Sequence, residues 1–195
     1  MKKSLKALLA LLLPSYVLFA LPTVVSAQND EIPAVSSNHC GAFVEEYVFE
    51  DADGSHSVII DHQTHILTID GVEIIPEIEE LPLTRAIVDY STGVNLSYKI
   101  PWQTAAKVLV ALIALQIPSP TAQAIINVAV GSAIDEGSDL IVTMTQYMSS
   151  EQYYSTYYGT YYKKAINKNI RAYYPANRLI YGPVDGQWFD PIRPY

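Results

Sequence analysis

The spacing of hydrophobic positions changes character three times along this chain. In residues 57–75, "SVIIDHQTHILTIDGVEII", the β-branched runs Val58-Ile59-Ile60 and Ile66-Leu67-Thr68-Ile69 flank the turn-forming Asp61-His62-Gln63-Thr64. Asp70-Gly71 is then a two-residue hairpin signal before Val72-Glu73-Ile74, because both residues tolerate the positive φ such turns require. The segment predicts a small antiparallel hairpin or meander. "PEIEELPL" at 76–83 predicts a connector, since its two prolines interrupt a hydrogen-bonded ladder.

Residues 105–130 then carry one charge, Lys107, and one break, Ile117-Pro118-Ser119-Pro120. Pro101 stands where helices begin, and Pro118 and Pro120 forbid a continuous rod. The pattern predicts an apolar helical hairpin, with arms at 104–117 and 121–134. At about 1.5 Å per residue each arm is roughly 21 Å long, short of the roughly 30 Å apolar thickness of a bilayer. A helix apolar nearly all round must be covered by protein or by lipid. Lipid would be met by Val108, Leu109, Leu112 and Ile113 on the first arm and by Ile125, Ile126, Val128 and Val130 on the second.

Beyond residue 139 the pattern turns to strands and tyrosines. "LIVTMTQYM" is followed by the pairs Tyr153/Tyr154, Tyr157/Tyr158, Tyr161/Tyr162 and Tyr173/Tyr174. The intervening Ser, Thr and Gly and the aromatic bias favour strands over a helical stripe. Turns are expected at 167–169 ("NKN") and 175–177 ("PAN"), giving a Tyr-rich antiparallel sheet in which each doubled tyrosine sends one ring to each face. The expected class is α+β: an N-terminal β-meander, a central helical hairpin and a C-terminal sheet.

Composition sharpens this division. Residues 1–27 place Lys2, Lys3 and Lys6 ahead of an apolar run and end in Val25-Ser26-Ala27, the layout of a signal peptide cleaved after Ala27. With no cysteine after that point except Cys40, and no apolar tail in "WFDPIRPY", a released, secreted product is expected. Cys40 is the sole cysteine, so no internal disulfide framework exists. Residues 28–98 hold fourteen acids against Arg85 alone, whereas residues 152–195 hold six bases against Asp185 and Asp190. The organisation reads as an acidic β-rich region at 28–98, the helices at 99–138 and a basic Tyr-rich region at 139–195, packed together as one domain. The acidic half argues against nucleic acid as a partner and would mask the basic half within the chain.

Candidate chemistry is sparse. His39, His56, His62 and His65 crowd near Cys40 and Asp61, but no zinc framework matches their spacing, and neither a metal nor another cofactor is expected. No nucleophile elbow, zinc-protease helix, phosphate loop or dinucleotide fingerprint occurs, and Glu45/Glu46 and Glu79/Glu80 are acid pairs without an evident cleft. The chain is therefore expected not to be an enzyme. The basic aromatic tail, with Tyr153, Tyr157, Tyr161, Lys163, Lys164, Lys168, Arg171 and Trp188, suits an anionic envelope or headgroup zone.

These features give two expectations. In the first, the tail collects at a membrane or anionic cell envelope and the freed helices enter lipid; this resembles secreted bacteriocin precursors in layout alone, with no family motif, and predicts permeabilising, antimicrobial activity. In the second, the helices are the core of a secreted binding or surface-associated module whose tyrosine face takes a glycan, wall polymer or protein. What separates the two is whether the helices are buried in the mature soluble form and stay buried when lipid is offered.

Overall fold

The computed structural model describes residues 36–39, 41–81, 90–131, 138–174 and 178–192. The segment expected to be a signal peptide, Cys40 and the turn expected at 175–177 lie outside them. The fold is α+β and mostly sheet. Five strands form the first sheet: β1 (Ser36–His39), β2 (Val44–Asp51), β3 (Gly54–Asp61), β4 (Leu67–Ile69) and β5 (Val72–Ile74), paired antiparallel in chain order. The β3–β4 turn contains His62, Gln63 and Thr64, and Asp70 (φ 48°) and Gly71 (φ 82°) make the β4–β5 turn, where positive φ suits Asp and Gly. In β2 the inward positions are Glu45, Tyr47 and Phe49, so one inward side chain is a carboxylate.

Next come β6 (Glu77–Glu80), β7 (Tyr90–Pro101), α1 (Ala105–Ala114), α2 (Ser119–Gly131) and β8 (Asp139–Ser149), then β9 (Tyr153–Ser155), β10 (Thr160–Tyr162), β11 (Ala165–Tyr173), β12 (Leu179–Val184) and β13 (Trp188–Phe189). The second sheet runs β12-β11-β8-β7-β6, with β13 also on β11, while β9 and β10 pair only with each other. On β7 Leu96, Tyr98 and Ile100, and on β8 Leu140, Val142 and Met144, alternate inward as a half-buried sheet requires.

The helices lie in the core. α1 packs on β2, β3 and β4, α2 on β12, and the helices on each other. Thr104 caps α1, its hydroxyl accepting from the Lys107 N–H at 3.3 Å. At the other end the Ile117 N–H donates to Leu112 O at 3.1 Å and the Gln116 N–H to Ile113 O at 2.8 Å, with Gln116 at φ 59°. This is a Schellman ending with glutamine at the position glycine usually takes. Pro120 falls in the first turn of α2, where its missing N–H costs nothing.

The structure corrects several expectations. Residues 77–80 are an edge strand paired with β7 rather than a connector; its four residues are all exposed, so no alternation marked it. Pro101 ends β7 instead of opening a helix. "NKN" is no turn: β11 runs through it, with Asn169 at φ 55° in a bulge and its N–H donating to Asp185 Oδ1 at 3.0 Å. The boundary expected at 98–99 falls inside β7, which pairs along its length with β8, so acidic and basic regions share one sheet. Tyr157 and Tyr158 sit in the β9–β10 turn, and the pairs Tyr153/Tyr154 and Tyr161/Tyr162 make their own two-stranded ribbon, while Tyr173 ends β11 of the main sheet.

Candidate functional site

The tyrosine ribbon and the histidine turn meet at a cleft. In the ribbon Tyr161 pairs with Tyr154 and Tyr162 with Tyr153. Adjacent residues on a strand face opposite ways, so two ring pairs form. Tyr154 and Tyr161 lie 4.9 Å apart and are 52% and 66% exposed, whereas Tyr153 and Tyr162, 5.8 Å apart, are half-buried. Tyr157 at the tip is 64% exposed and packs edge-on against Tyr158. The ribbon is tied at its base, where the Lys164 N–H donates to Ser149 Oγ at 3.0 Å and the Lys164 ammonium lies 4.9 Å over the Tyr153 ring. Burial and then the nearby Asp190 push the Tyr162 phenol upward.

Beside the ribbon lies a cleft of about 400 Å³, lined by Phe43, His62, Gln63 and His65 from the histidine turn and its surroundings, by Tyr161, Tyr162 and Lys163, and by Met148, Gln152 and Pro191. Its histidines are held differently. His65 has φ 61°, an uncommon backbone state for a residue with a side chain, and its carbonyl accepts from the Tyr98 hydroxyl at 2.9 Å. Burial, reinforced by His62, lowers the pKa of His65 against the opposing pull of Asp61. His62 is buried, packs on Phe189 at 5.8 Å, and its Nε2 is 3.6 Å from Glu45 Oε2 with no hydrogen-bond partner.

Behind His62 is a polar cluster inside the core. Glu45 is 1% exposed, and its Oε2 accepts from the Tyr47 hydroxyl at 2.6 Å and from Gln116 Nε2 at 3.1 Å. Both bonds suit a carboxylate acceptor, and a buried charge is tolerable only with such partners. The left-handed turn at Gln116 delivers that donor. One residue earlier, Leu115 O accepts from Asn167 Nδ2 at 2.9 Å, while Asn167 Oδ1 accepts from Gln146 Nε2 at 3.0 Å. The first sheet, the end of α1 and the second sheet are thus joined by side-chain bonds.

The expected interface residues divide among four places, Tyr157 standing at the ribbon tip. Tyr161 and Lys163 line the cleft. Tyr153, Lys164 and Trp188 line a neighbouring groove of about 360 Å³ with Ser149, Ser150 and Glu151. Lys168 and Arg171, on β11, line neither groove, and Lys168 lies 3.4 Å from Asp185. His56 is elsewhere too, between Asp51 (2.9 Å) and Asp70 (3.0 Å). Among the described residues no group of three or more His, Cys, Asp or Glu is arranged to hold a metal ion. Of the expected membrane-inserting residues, Val108, Leu109, Leu112, Ile125 and Ile126 are buried, Ile113 is half-buried, and Val128 and Val130 are 40% and 54% exposed.

No family model, curated protein or solved structure matches this chain. The functional reading therefore stands on the site itself. Sequence reasoning marked the turn at His62 and the tyrosine pairs, but not their meeting, and it missed Glu45, Gln116 and Asn167. Glu45 beside Glu46 looks like surface charge; only its place in the alternation with Tyr47 and Phe49 hints that it faces inward.

Proposed function

We propose that this chain is an exported binding module whose tyrosine ribbon engages a polysaccharide of the cell envelope. The observation that carries the reading is the exposed pair Tyr154 and Tyr161, whose rings lie 4.9 Å apart with their planes inclined at 55°, with Tyr157 at the tip. Large exposed aromatic groups gathered on one ribbon are unusual unless they bind something. Their faces offer an apolar, electron-rich platform for the C–H face of a sugar ring, and their hydroxyls reach the sugar's own. Few rotatable bonds are immobilised when a tyrosine binds, which favours such residues as anchors.

Burial of the helices supports this over the permeabilising reading. Most of the apolar residues that would enter lipid are in the shared core, and among the described residues no helix is long and apolar enough to cross a membrane. Insertion of the helical hairpin would require that core to open. The test is sedimentation of the mature protein, residues 28–195, with insoluble cell-wall polysaccharide. Tyr154→Ala/Tyr161→Ala should retain its melting temperature and lose binding at least tenfold, about 1.4 kcal/mol. Equal binding by the folded double variant would overturn the proposal.

A further inference from the structure

Resting on that reading, we infer that the polysaccharide is a neutral, hydroxyl-rich one and that it makes a second contact on the outer face of the second sheet, where a cavity over β6, β7 and β8 takes one of its sugar residues. Leu96 and Tyr98 on β7 and Val142 and Met144 on β8 point into the core, so their neighbours along each strand face outward. The register sets Glu77 beside Ser97 and Ser97 beside Thr143 in one outward row, and Glu79 beside Asn95 and Asn95 beside Thr145 in the next. All six line a cavity of about 340 Å³, within the roughly 300–1,000 Å³ of small-molecule sites.

The second row is ordered before any ligand arrives. Thr145 Oγ1 donates to Asn95 Oδ1 at 2.8 Å, and Asn95 Nδ2 donates to Glu79 Oε2 at 3.3 Å. Fixing the amide and the carboxylate in advance lowers the ordering cost of binding. Hydroxyls, an amide and carboxylates side by side match vicinal sugar hydroxyls, each of which both donates and accepts. Charge favours a neutral sugar over an acidic one. Lys99 is held 2.7 Å from Glu77, and Lys168 lies 3.4 Å from Asp185. Arg171 follows Thr143 across the first row but does not line the cavity. Exposed Glu79 bonds only a neutral amide among these groups, so an entering carboxylate or phosphate is repelled, whereas a sugar hydroxyl donates to it.

The cavity is continuous with the ribbon's surroundings. In the next outward row Trp188 pairs with Ile166, Ile166 with Tyr147 and Tyr147 with Gly93, about 7 Å from the Asn95 row at two residues' rise along the strands. A Cβ at Gly93 would stand 2.8 Å from the Tyr147 ring, so that ring lies across the glycine. Trp188, 41% exposed, shares the groove of about 360 Å³ with Tyr153 of the ribbon. The groove leads from the base of the ribbon to this aromatic row, and the aromatic row borders the cavity.

The experiment measures binding of the protein spanning residues 28–195 to a soluble β-glucan, an α-mannan and a polyuronate. Wild type should bind at least one neutral polymer about tenfold more tightly than the polyuronate, and Glu79→Gln should narrow that difference. Ser97→Val/Thr143→Val removes two cavity hydroxyls and keeps residues that favour strands; it should retain its melting temperature and weaken the neutral polymer about tenfold. Thr143→Val alone carries the same test with a smaller loss should the double variant fail to fold. Trp188→Ala should weaken the same polymer. If the folded Ser97→Val/Thr143→Val and Trp188→Ala proteins bind as wild type does while Tyr154→Ala/Tyr161→Ala loses binding, the cavity inference fails and the tyrosine reading stands. Tightest binding to the polyuronate has the same meaning. If Tyr154→Ala/Tyr161→Ala binds every polymer as wild type does, the tyrosine reading itself fails, and binding to none of the three polymers overturns both.

Discussion

Gln116 Nε2 donates to Glu45 Oε2 at 3.1 Å across 71 residues of sequence. The same glutamine ends α1 in the left-handed region at φ 59°, where a side chain costs roughly 1–2 kcal/mol relative to glycine. One residue therefore carries opposing contributions: backbone strain at the helix end and a charge-assisted bond to a buried carboxylate, the latter about 1.5–3 kcal/mol. Gln116→Gly should relieve the first and lose the second. The expected net is a loss of about 1 kcal/mol, with Gln116→Ala losing more because it keeps the strain. Urea denaturation of both variants checks the order, and a Gln116→Gly protein more stable than wild type would show the bond to be weak.

Asn167 is the second joint. At 1% exposure it bonds Leu115 O with its amide nitrogen and Gln146 with its amide oxygen. Asn167→Ala strands both partners in the core and should destabilise the protein by about 3 kcal/mol. Asn167→Asp should be worse at neutral pH, because a carboxylate faces the Leu115 carbonyl, and should recover partly in acid as it is protonated. Melting temperatures of the two variants at pH 7 and pH 5 separate the effects.

Lys107, the single charge of residues 105–130, lies 3.1 Å from Asp70 Oδ2, tying α1 to the β4–β5 turn. Asp70 is held below its usual range: burial opposes this, but the Ser57 N–H, Lys107 and His56 outweigh it. A carboxyl depressed in the folded state stabilises the protein above its unfolded value, near 3.9, and that contribution disappears as pH falls through the lower folded value. Stability should therefore drop below about pH 4, and Asp70→Asn should flatten this slope while lowering stability at pH 7. Lys107→Met should cost roughly 1 kcal/mol at neutral pH. Urea midpoints between pH 2.5 and 7 provide the measurement; an unchanged acid slope in Asp70→Asn would assign it to other carboxyls.

What the sequence revealed follows from the range of each signal. Asp70-Gly71 was legible because its chemistry is local: two adjacent residues that accept positive φ. That the apolar stretch is interrupted was legible for the same reason, since proline acts on its own turn, but the bounds were not: α1 ends at Ala114 rather than 117, and α2 opens at Ser119 with Pro120 inside it rather than at 121. β6 was not, because an exposed edge strand needs no apolar alternation and its identity comes from pairing with β7. Asn169 misled because the residues that favour turns also favour bulges. The candidate site was half legible. His62 and His65 declared a turn, and Tyr161 a ribbon, but roughly a hundred residues separate them, and only the fold places them around one cleft.

The helices leave a final prediction. Leu112 and Ile125 are fully buried in the core between the sheets, and removing a side chain of that size from water contributes about 2–3 kcal/mol. Lipid offers such a side chain much the same apolar surroundings, so it supplies little extra drive for the helices to leave, while exposing the sheets' inner faces would be costly. Intact protein spanning residues 28–195 should release no dye from vesicles, anionic or neutral. Leu112→Ala creates a cavity expected to destabilise by 2–5 kcal/mol, and it too should leave vesicles sealed if the helices serve only the core. Dye release that rises in Leu112→Ala, or appears after limited proteolysis, would instead mean that the fold restrains a membrane-active hairpin, and the tyrosine ribbon would then serve to bring it to the surface it enters.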